Sequence, residues 1–278
     1  MNSPFLSIIT PSLNQLPFLK VCVASVEMQS YPNCEQIVLD ADSSDGSKEY
    51  LKKYPGCITW WRSHPDRGQS HALNEGFSLA KGEWIGWQNS DDFYYPGAFA
   101  LVAQIIQKFP QTQVIVGDTA IVDETGMIAN RIGVSPVQAQ LWLKGFWPYN
   151  QSLFIRKDIL IPVLPIDENL YLHMDTDFLA KIALLAPKIA YTPHLLGAFR
   201  KHRACKTENP EVLQRSRKER DLLIKRYNQR LWPETRLSWQ AHRLSHHYQN
   251  IKAWGITSVF KRLVFKIQTP NLKGTVLK

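Results

Sequence analysis

The first hundred residues alternate short β-branched apolar runs with stretches whose apolar positions recur at helical spacing. That pattern predicts an α/β fold with a mostly parallel central sheet flanked by helices. Phe5 to Thr10 reads as the first strand, stopped by Pro11-Ser12. Pro17 stands where a helix begins, and Phe18, Val21, Cys22, Ser25 and Val26 give that helix one apolar-to-small face. Glu35 to Asp40 reads as the second strand and runs into the turn-rich Asp42 to Ser47. A helix over Lys48 to Lys53, a strand over Cys57 to Arg62, a helix over Gln69 to Lys81 and a strand over Trp84 to Gln88 follow. The last of these strands ends in Asn89-Ser90-Asp91-Asp92.

Successive strands therefore end in polar residues. In open parallel sheets a ligand lies outside the carboxyl ends of the strands, so Thr10 and Ser12, Asp40 and Asp42, Asp66, and Asp91 with Asp92 are expected on one rim. Taken singly, each is an ordinary turn residue, because Asp, Asn and Ser make local side-chain bonds there. The series is what points to a site. Asp91 and Asp92 leave an extended strand and are expected to point in opposite directions. One can hold a metal while the other contacts something else. Crowded carboxylates repel unless a cation or donors compensate, and hard Mg2+ or Mn2+ takes one or two carboxylates together with substrate phosphates. Gly46, Gly68 and Gly76 form neither G-x-G-x-x-G nor a P-loop, which disfavours those nucleotide-binding readings.

Composition narrows the classes. The chain has 278 residues, 44% hydrophobic and 21% charged, enough for one large domain or two small ones and unlike a disordered, fibrous or small stapled protein. No apolar stretch reaches the ~20 residues of a spanning helix, and the start carries no basic n-region. The four cysteines follow no metal-ligand spacing, so a cytoplasmic protein with reduced thiols is expected. The net charge of +9 is unevenly placed: up to Phe199, 14 Lys and Arg face 19 Asp and Glu, whereas from Arg200 onward 19 face 5. A basic end can serve nucleic acid, an anionic membrane or the phosphates of a small ligand. No nucleic-acid recognition motif accompanies it, and the acids cluster where a nucleic acid would approach the sheet. No nucleic acid partner is expected, and a basic nucleic-acid-binding protein is kept as the alternative.

Several segments together resemble glycosyltransferase family 2. They are SIITPSLNQ (Ser7 to Gln15), SVEMQSYPNCEQIVLDADSSDGS (Ser25 to Ser47), SHPDRGQSHALNEGF (Ser63 to Phe77), GEWIGWQNSDD (Gly82 to Asp92), VIVGDT (Val114 to Thr119), NQSLFIRKDIL (Asn150 to Leu160) and HMDTDFLAKI (His173 to Ile182). The resemblance implies a GT-A fold over residues 1–205, with a nucleotide-sugar-binding half (1–118), an acceptor and base half (119–205), and a helical basic C-terminal extension (206–278). It implies inverting transfer from a nucleotide-diphosphate sugar to a polysaccharide or lipid-linked acceptor, assisted by Mn2+ or Mg2+. A catalytically silent nucleotide-sugar-binding member shares the same motifs. By resemblance, Thr10 and Asp40 contact base and ribose with Asp42 as helper, Asp66 and Arg67 line the same pocket, Asp91 lies near the ribose and Asp92 holds the metal. Asn89-Ser90 ahead of the pair depart from the literal D-x-D motif.

Asp175 and Asp177 open a predicted helix near Met174, where Asp is also favoured for capping and dipole reasons. Residues two apart on a helix do not share a face, so one of them at most looks into a cleft, and the resemblance selects Asp175 as the base. Inversion needs a carboxylate to take the acceptor proton, and a free Asp, with pKa about 3.9, is too acidic unless burial or neighbouring acids raise it. Arg200-Lys201-His202-Arg203 is cationic; a basic loop in water has the same composition, while the resemblance assigns Arg200 and His202 to the donor phosphates. Trp142, Trp147 and Tyr149 can stack on an acceptor sugar or simply pack.

Further on, Ile256, Val259, Phe260, Leu263, Val264 and Ile267 form an apolar helical stripe with Lys261, Arg262 and Lys266 off it. Such a stripe packs on its own domain or lies in an anionic membrane surface, the latter giving a peripheral location on the inner face of the cell membrane. His242 and His246 have ligand spacing without an evident third ligand.

Overall fold

Alternation along β1 (Leu6–Ser12) sends Leu6 and Ile8 to one face of the sheet and Ile9 to the other, and all three are fully buried. The computed structural model describes residues 3–54, 56–133, 139–203, 205, 210–228 and 231. Leu6 and Ile8 pack with Phe99 and Val102 of α4 (Ala98–Lys108), and with Val26 of α1 (Leu16–Glu27). Ile9 packs with Leu73 and Phe77 of α3 (Gln69–Leu79), and with Phe178 of α6 (Met174–Leu184). Helices thus cover both faces.

The other helices of this run are α2 (Ser47–Lys53) and α5 (Lys157–Leu160), and the other strands are β2 (Cys34–Asp40), β3 (Ile58–Ser63), β4 (Trp84–Trp87), β5 (Phe93–Tyr94), β6 (Val114–Val122), β7 (Ile128–Ile132), β8 (Leu153–Arg156) and β9 (Ile189–Arg200). They run in the order β3-β2-β1-β4-β8-β6-β9-β5, with β7 against β6. The neighbours from β3 to β4 are all parallel. In the second half β6 and β9 are parallel, whereas β8 runs antiparallel to β4 and β6, β7 to β6, and β5 to β9. The parallel half follows from βα crossovers. By contrast, the few residues between β6 and β7, tied by Thr125 and Met127 N–H groups donating to Asp123 Oδ1 at 2.9 and 3.0 Å, leave room only for an antiparallel return.

Two features position the rim. A Cβ on Gly197 of β9 would lie 2.0 Å from the Gln151 carbonyl oxygen, so the absent side chain lets the turn Asn150–Ser152 lie against β9. The helix α7 (Pro210–Arg226) packs on the body: Leu223 is fully buried in the same cluster as Phe178. Among the described residues no helix is long and apolar enough to cross a membrane. The stripe from Ile256 to Ile267 and the pair His242 and His246 lie outside the described residues.

Candidate functional site

Side chains lace the loops at the carboxyl ends of β1 to β4 together. Ser44 N–H donates to Asn14 Oδ1 at 2.9 Å, joining the loops after β1 and β2. Ser63 Oγ donates to Asp40 Oδ2 at 2.6 Å, joining β2 to β3. Gln15 Nε2 donates to Asp91 Oδ2 at 3.3 Å, and Ser90 Oγ donates to Gln15 Oε1 at 2.5 Å, joining β1 to the loop after β4. Asn89 Oδ1 accepts from Gln69 Nε2 at 2.8 Å, and Ser70 Oγ meets Met174 Sδ at 2.8 Å, which links that loop through the start of α3 to the start of α6. The segments carrying Asp40, Asp66, Asp91, Asp92 and Asp175 therefore belong to one connected rim.

The two acids face different ways, but not through strand alternation: β4 ends at Trp87, and a turn closed by the Asp92 N–H donating to the Asn89 carbonyl at 3.1 Å carries Asp91, while Asp92 does not face outward as a metal ligand would. It is buried, and its carboxylate accepts from the Arg200 backbone N–H at 2.8 Å, from Asn89 Nδ2 at 3.2 Å and from Gln151 Nε2. Burial, and after it the neighbouring Asp91 charge, push Asp92 well above the ordinary carboxylate range. Asp91 is the partner left at the surface of the rim. Its Oδ2 lies 3.0 Å from His202 Nε2, and Asp91, His202 and Cys205 offer ligand atoms within 4.8 Å of one another. A carboxylate, an imidazole and a thiol converging in this way fit a divalent ion.

Arg200 is buried and committed. Its Nε donates to the Asp91 carbonyl at 2.9 Å and its Nη1 to the Glu124 carbonyl at 2.8 Å, while its guanidinium lies 5.0 and 5.4 Å from the Phe18 and Phe93 ring centres. Burial pushes its pKa down. This holds the end of β9, and with it His202, against the loop after β4.

At the start of α6 the two acids separate completely. Asp177 is fully buried and bound by Arg226 Nη1 at 2.8 Å, Tyr227 Oη at 2.7 Å and Lys181 Nζ at 2.9 Å. Asp175 is half-buried, its Oδ1 accepting the Thr176 N–H at 2.6 Å while Oδ2 has no hydrogen bond among the described residues. Burial raises its pKa, opposed by the Thr176 hydrogen bonds and by His173. That is the direction a general base requires. The segment ahead of it is held by Glu219 of α7, which accepts the N–H groups of Tyr171, Leu172 and His173 at 2.8, 2.9 and 3.0 Å.

The remaining expected residues are placed as follows. Thr10 is fully buried, its hydroxyl accepting from Gln36 Nε2 at 3.1 Å. Asp40 is fully buried, and besides Ser63 it accepts from the Ser43 N–H at 3.0 Å and Oγ at 2.5 Å. Asp42 is exposed, with Lys48 Nζ 3.9 Å away. Asp66 accepts from Arg62 Nη2 at 3.1 Å and from the Gly68 N–H at 2.8 Å. Arg67 projects outward in a bidentate pair with Glu168 at 2.8 and 3.0 Å. Trp142 is fully buried core, Trp147 packs partly on the same cluster, and Tyr149 lies against Phe199. Gln15, Arg62, Gln151, Cys205 and Glu219 are not marked as site residues by the sequence pattern, and Asn89 stands there only as a departure from the D-x-D motif. For Asn89 and Cys205, proximity to Asp92 and to His202 along the chain was the available signal.

Helices on both faces of a mixed sheet, with an acid pair at the strand ends, define a GT-A type of α/β fold. Solved structures share it. S. aureus TarS in complex with UDP-GlcNAc aligns with a TM-score of 0.56 at 18% identity, covering 71% of this chain and 59% of that one. Mannosyltransferase PcManGT from Pyrobaculum calidifontis, in complex with GDP-Man and Mn2+, aligns with a TM-score of 0.58 at 16% identity, covering 96% and 76%. The chain belongs to glycosyl transferase family 2, whose model matches residues 7–163. An uncharacterized glycosyltransferase of Rickettsia typhi is 32% identical over 114 residues, 41% of this chain and 36% of that protein. The chain thus spans little more than a third of that relative's length.

Proposed function

We propose that this chain transfers a sugar from a nucleotide-diphosphate donor to an acceptor hydroxyl, with inversion at the anomeric carbon, at the rim described above. The observation that carries the reading is the meeting of Asp91 and His202, 3.0 Å apart though they come from different halves of the chain, on the same rim as an acid freed for base chemistry. The nucleotide sugars bound to TarS and PcManGT support the donor class. A polysaccharide or lipid-linked sugar is the acceptor that the family resemblance favours. The scattered free cysteines support a reducing, cytoplasmic location.

In this reading Asp175 Oδ2 accepts the acceptor hydroxyl proton as that oxygen forms its bond to the anomeric carbon. The bond from that carbon to the diphosphate oxygen breaks, and the electron pair leaves with the nucleoside diphosphate. Such base assistance is worth roughly 10² to 10⁴ in rate. Asp91 and His202 would hold a divalent ion, which when bound supplies positive charge beside the diphosphate as it gains negative charge. Asp92 and Arg200 keep those two ligands in register rather than touching the donor. Asp40 and Asp66 shape the loops beside which the nucleoside would lie.

The test is a panel of nucleotide sugars supplied with Mn2+, following release of nucleoside diphosphate. One donor class is expected to support release, and Asp175→Asn is expected to abolish it while still binding that donor. Salt-dependent binding of random DNA with no response to any nucleotide sugar would reverse the reading in favour of a nucleic-acid-binding protein.

A further inference from the structure

The group around Asp91 contains a donor that a magnesium site has no use for. Cys205 follows His202 by three residues, and a tight turn joins them: Cys205 N–H donates to the His202 carbonyl at 3.1 Å, and His202 N–H donates to Cys205 Sγ at 3.4 Å. The turn brings sulfur and imidazole together, and β9 carries both to Asp91. We propose that Cys205 is a metal ligand beside Asp91 and His202, so that the site takes a thiophilic divalent ion such as Zn2+ or Co2+ through a sulfur bond and discriminates against Mg2+. The inference rests on the metal-assisted reading above and gives it a ligand set.

Three observations support the assignment. Among the described residues, Asp91, His202 and Cys205 form the group of three His, Cys, Asp or Glu side chains whose ligand atoms lie close enough to share an ion. Two ligand atoms bound to one ion at about 2.0–2.2 Å stand roughly 3.0–3.5 Å apart, and Asp91 Oδ2 and His202 Nε2 are already 3.0 Å apart. The surroundings are those of a supported site: the His202 side chain is 4% exposed, the Phe18 ring lies 4.8 Å from its ring, and Gln15, itself fixed by Ser90, orients the Asp91 carboxylate. Carboxylate, imidazole and thiolate together suit zinc and its neighbours, whereas Mg2+ takes oxygen ligands and keeps its water.

The experiment is an optical titration of the whole chain with Co2+. A near-ultraviolet sulfur-to-cobalt charge-transfer band is expected, saturating at one equivalent. Stoichiometric Zn2+ should remove it and a large excess of Mg2+ should not. Cys205→Ser keeps a side chain able to make the turn; it should lose the band and bind Co2+ more than about 100-fold more weakly, beyond the loss caused by removing an outer partner. X-ray absorption of the zinc-loaded protein gives a second readout that needs no variant, with a sulfur neighbour expected at about 2.3 Å. Cobalt bound with no charge-transfer band, or a band unchanged in Cys205→Ser, overturns the sulfur ligand and leaves the metal-assisted reading standing. Absence of any Co2+ binding, with donor binding indifferent to divalent ions, overturns both.

Discussion

Asp175 and Asp177 stand two positions apart and have opposite environments. Their divergence was legible from helical geometry, which allows one of them to face a cleft. The partners that fix Asp177, Arg226 and Tyr227, come from α7 some fifty positions later, and nothing local announces them. Asp177→Ala removes the acceptor of Tyr227 and the partner of Arg226 and Lys181, and because those cations are about a third exposed and Arg226 keeps Asp167, a cost of about 1–3 kcal/mol is expected in chemical denaturation. Asp175→Asn is expected to lower turnover by roughly 10² to 10⁴ with folding intact. Burial raises Asp175, so the folded protein holds that proton more tightly than the unfolded chain. Its stabilising contribution is complete below about pH 3.9 and declines as pH rises through the folded value, while the carboxylate that the proposed base role requires forms over the same window. Turnover should therefore rise along an acid limb displaced above the ordinary carboxylate range, read from kcat against pH. That Asp91 and Asp92 face different ways was also expected, although a turn after the end of β4 makes the split rather than the strand alternation it was expected from. Which acid turns inward was not, because Gln151 and the Arg200 N–H arrive from distant segments.

Among the elements, α7 restrains the start of α6 from two sides, through Glu219 ahead of it and through Arg226 and Tyr227 behind. Burial acts to raise Glu219, but the three amide donors and Arg215 outweigh it and leave the acid below its usual value. Its stabilising contribution is thus present above about pH 4.3 and lost as pH falls through the lower folded value. Glu219→Ala should cost about 1 kcal/mol or more by thermal or denaturant unfolding, because three partly buried N–H groups lose their acceptor. The same variant should reduce kcat more than donor affinity, because it loosens the segment that carries Asp175. At Gly197, substitution by Ala sets a Cβ against the Gln151 carbonyl, and backbone cannot move aside as a flexible side chain can. A loss of about 1–3 kcal/mol is expected there, with weakened support for Asp92. Elements built on repeated βα units, from β1 to β4, matched their expected positions to within two residues at each end. In the second half the four-residue β8 is too short to show a period, the nine residues of β6 are buried on both faces and so do not alternate, and the pairing depends on contacts remote in sequence.

Across the whole molecule, the acid-rich segment supplies most of the rim, and the basic segment that begins at Arg200 brings Arg200 and His202 against Asp91 and Asp92. Seven ordered motifs made the family legible, and the order β3-β2-β1-β4 with its rim follows from βα repetition, whereas the mixed pairing of the second half does not. Substrate identity is less legible, since it depends on the shape enclosed by loops rather than on residue types in order. The central claim is that donor and metal meet where the loops after β1, β2 and β4 are laced to the end of β9. A crystal structure of the full chain with a nucleoside diphosphate and a divalent ion tests it most directly. The account predicts the ion on Asp91 and His202, with the diphosphate beside it and the nucleoside against the loops after β1 and β2. A nucleotide bound elsewhere, with Asp91 and His202 still paired only to each other, would contradict it.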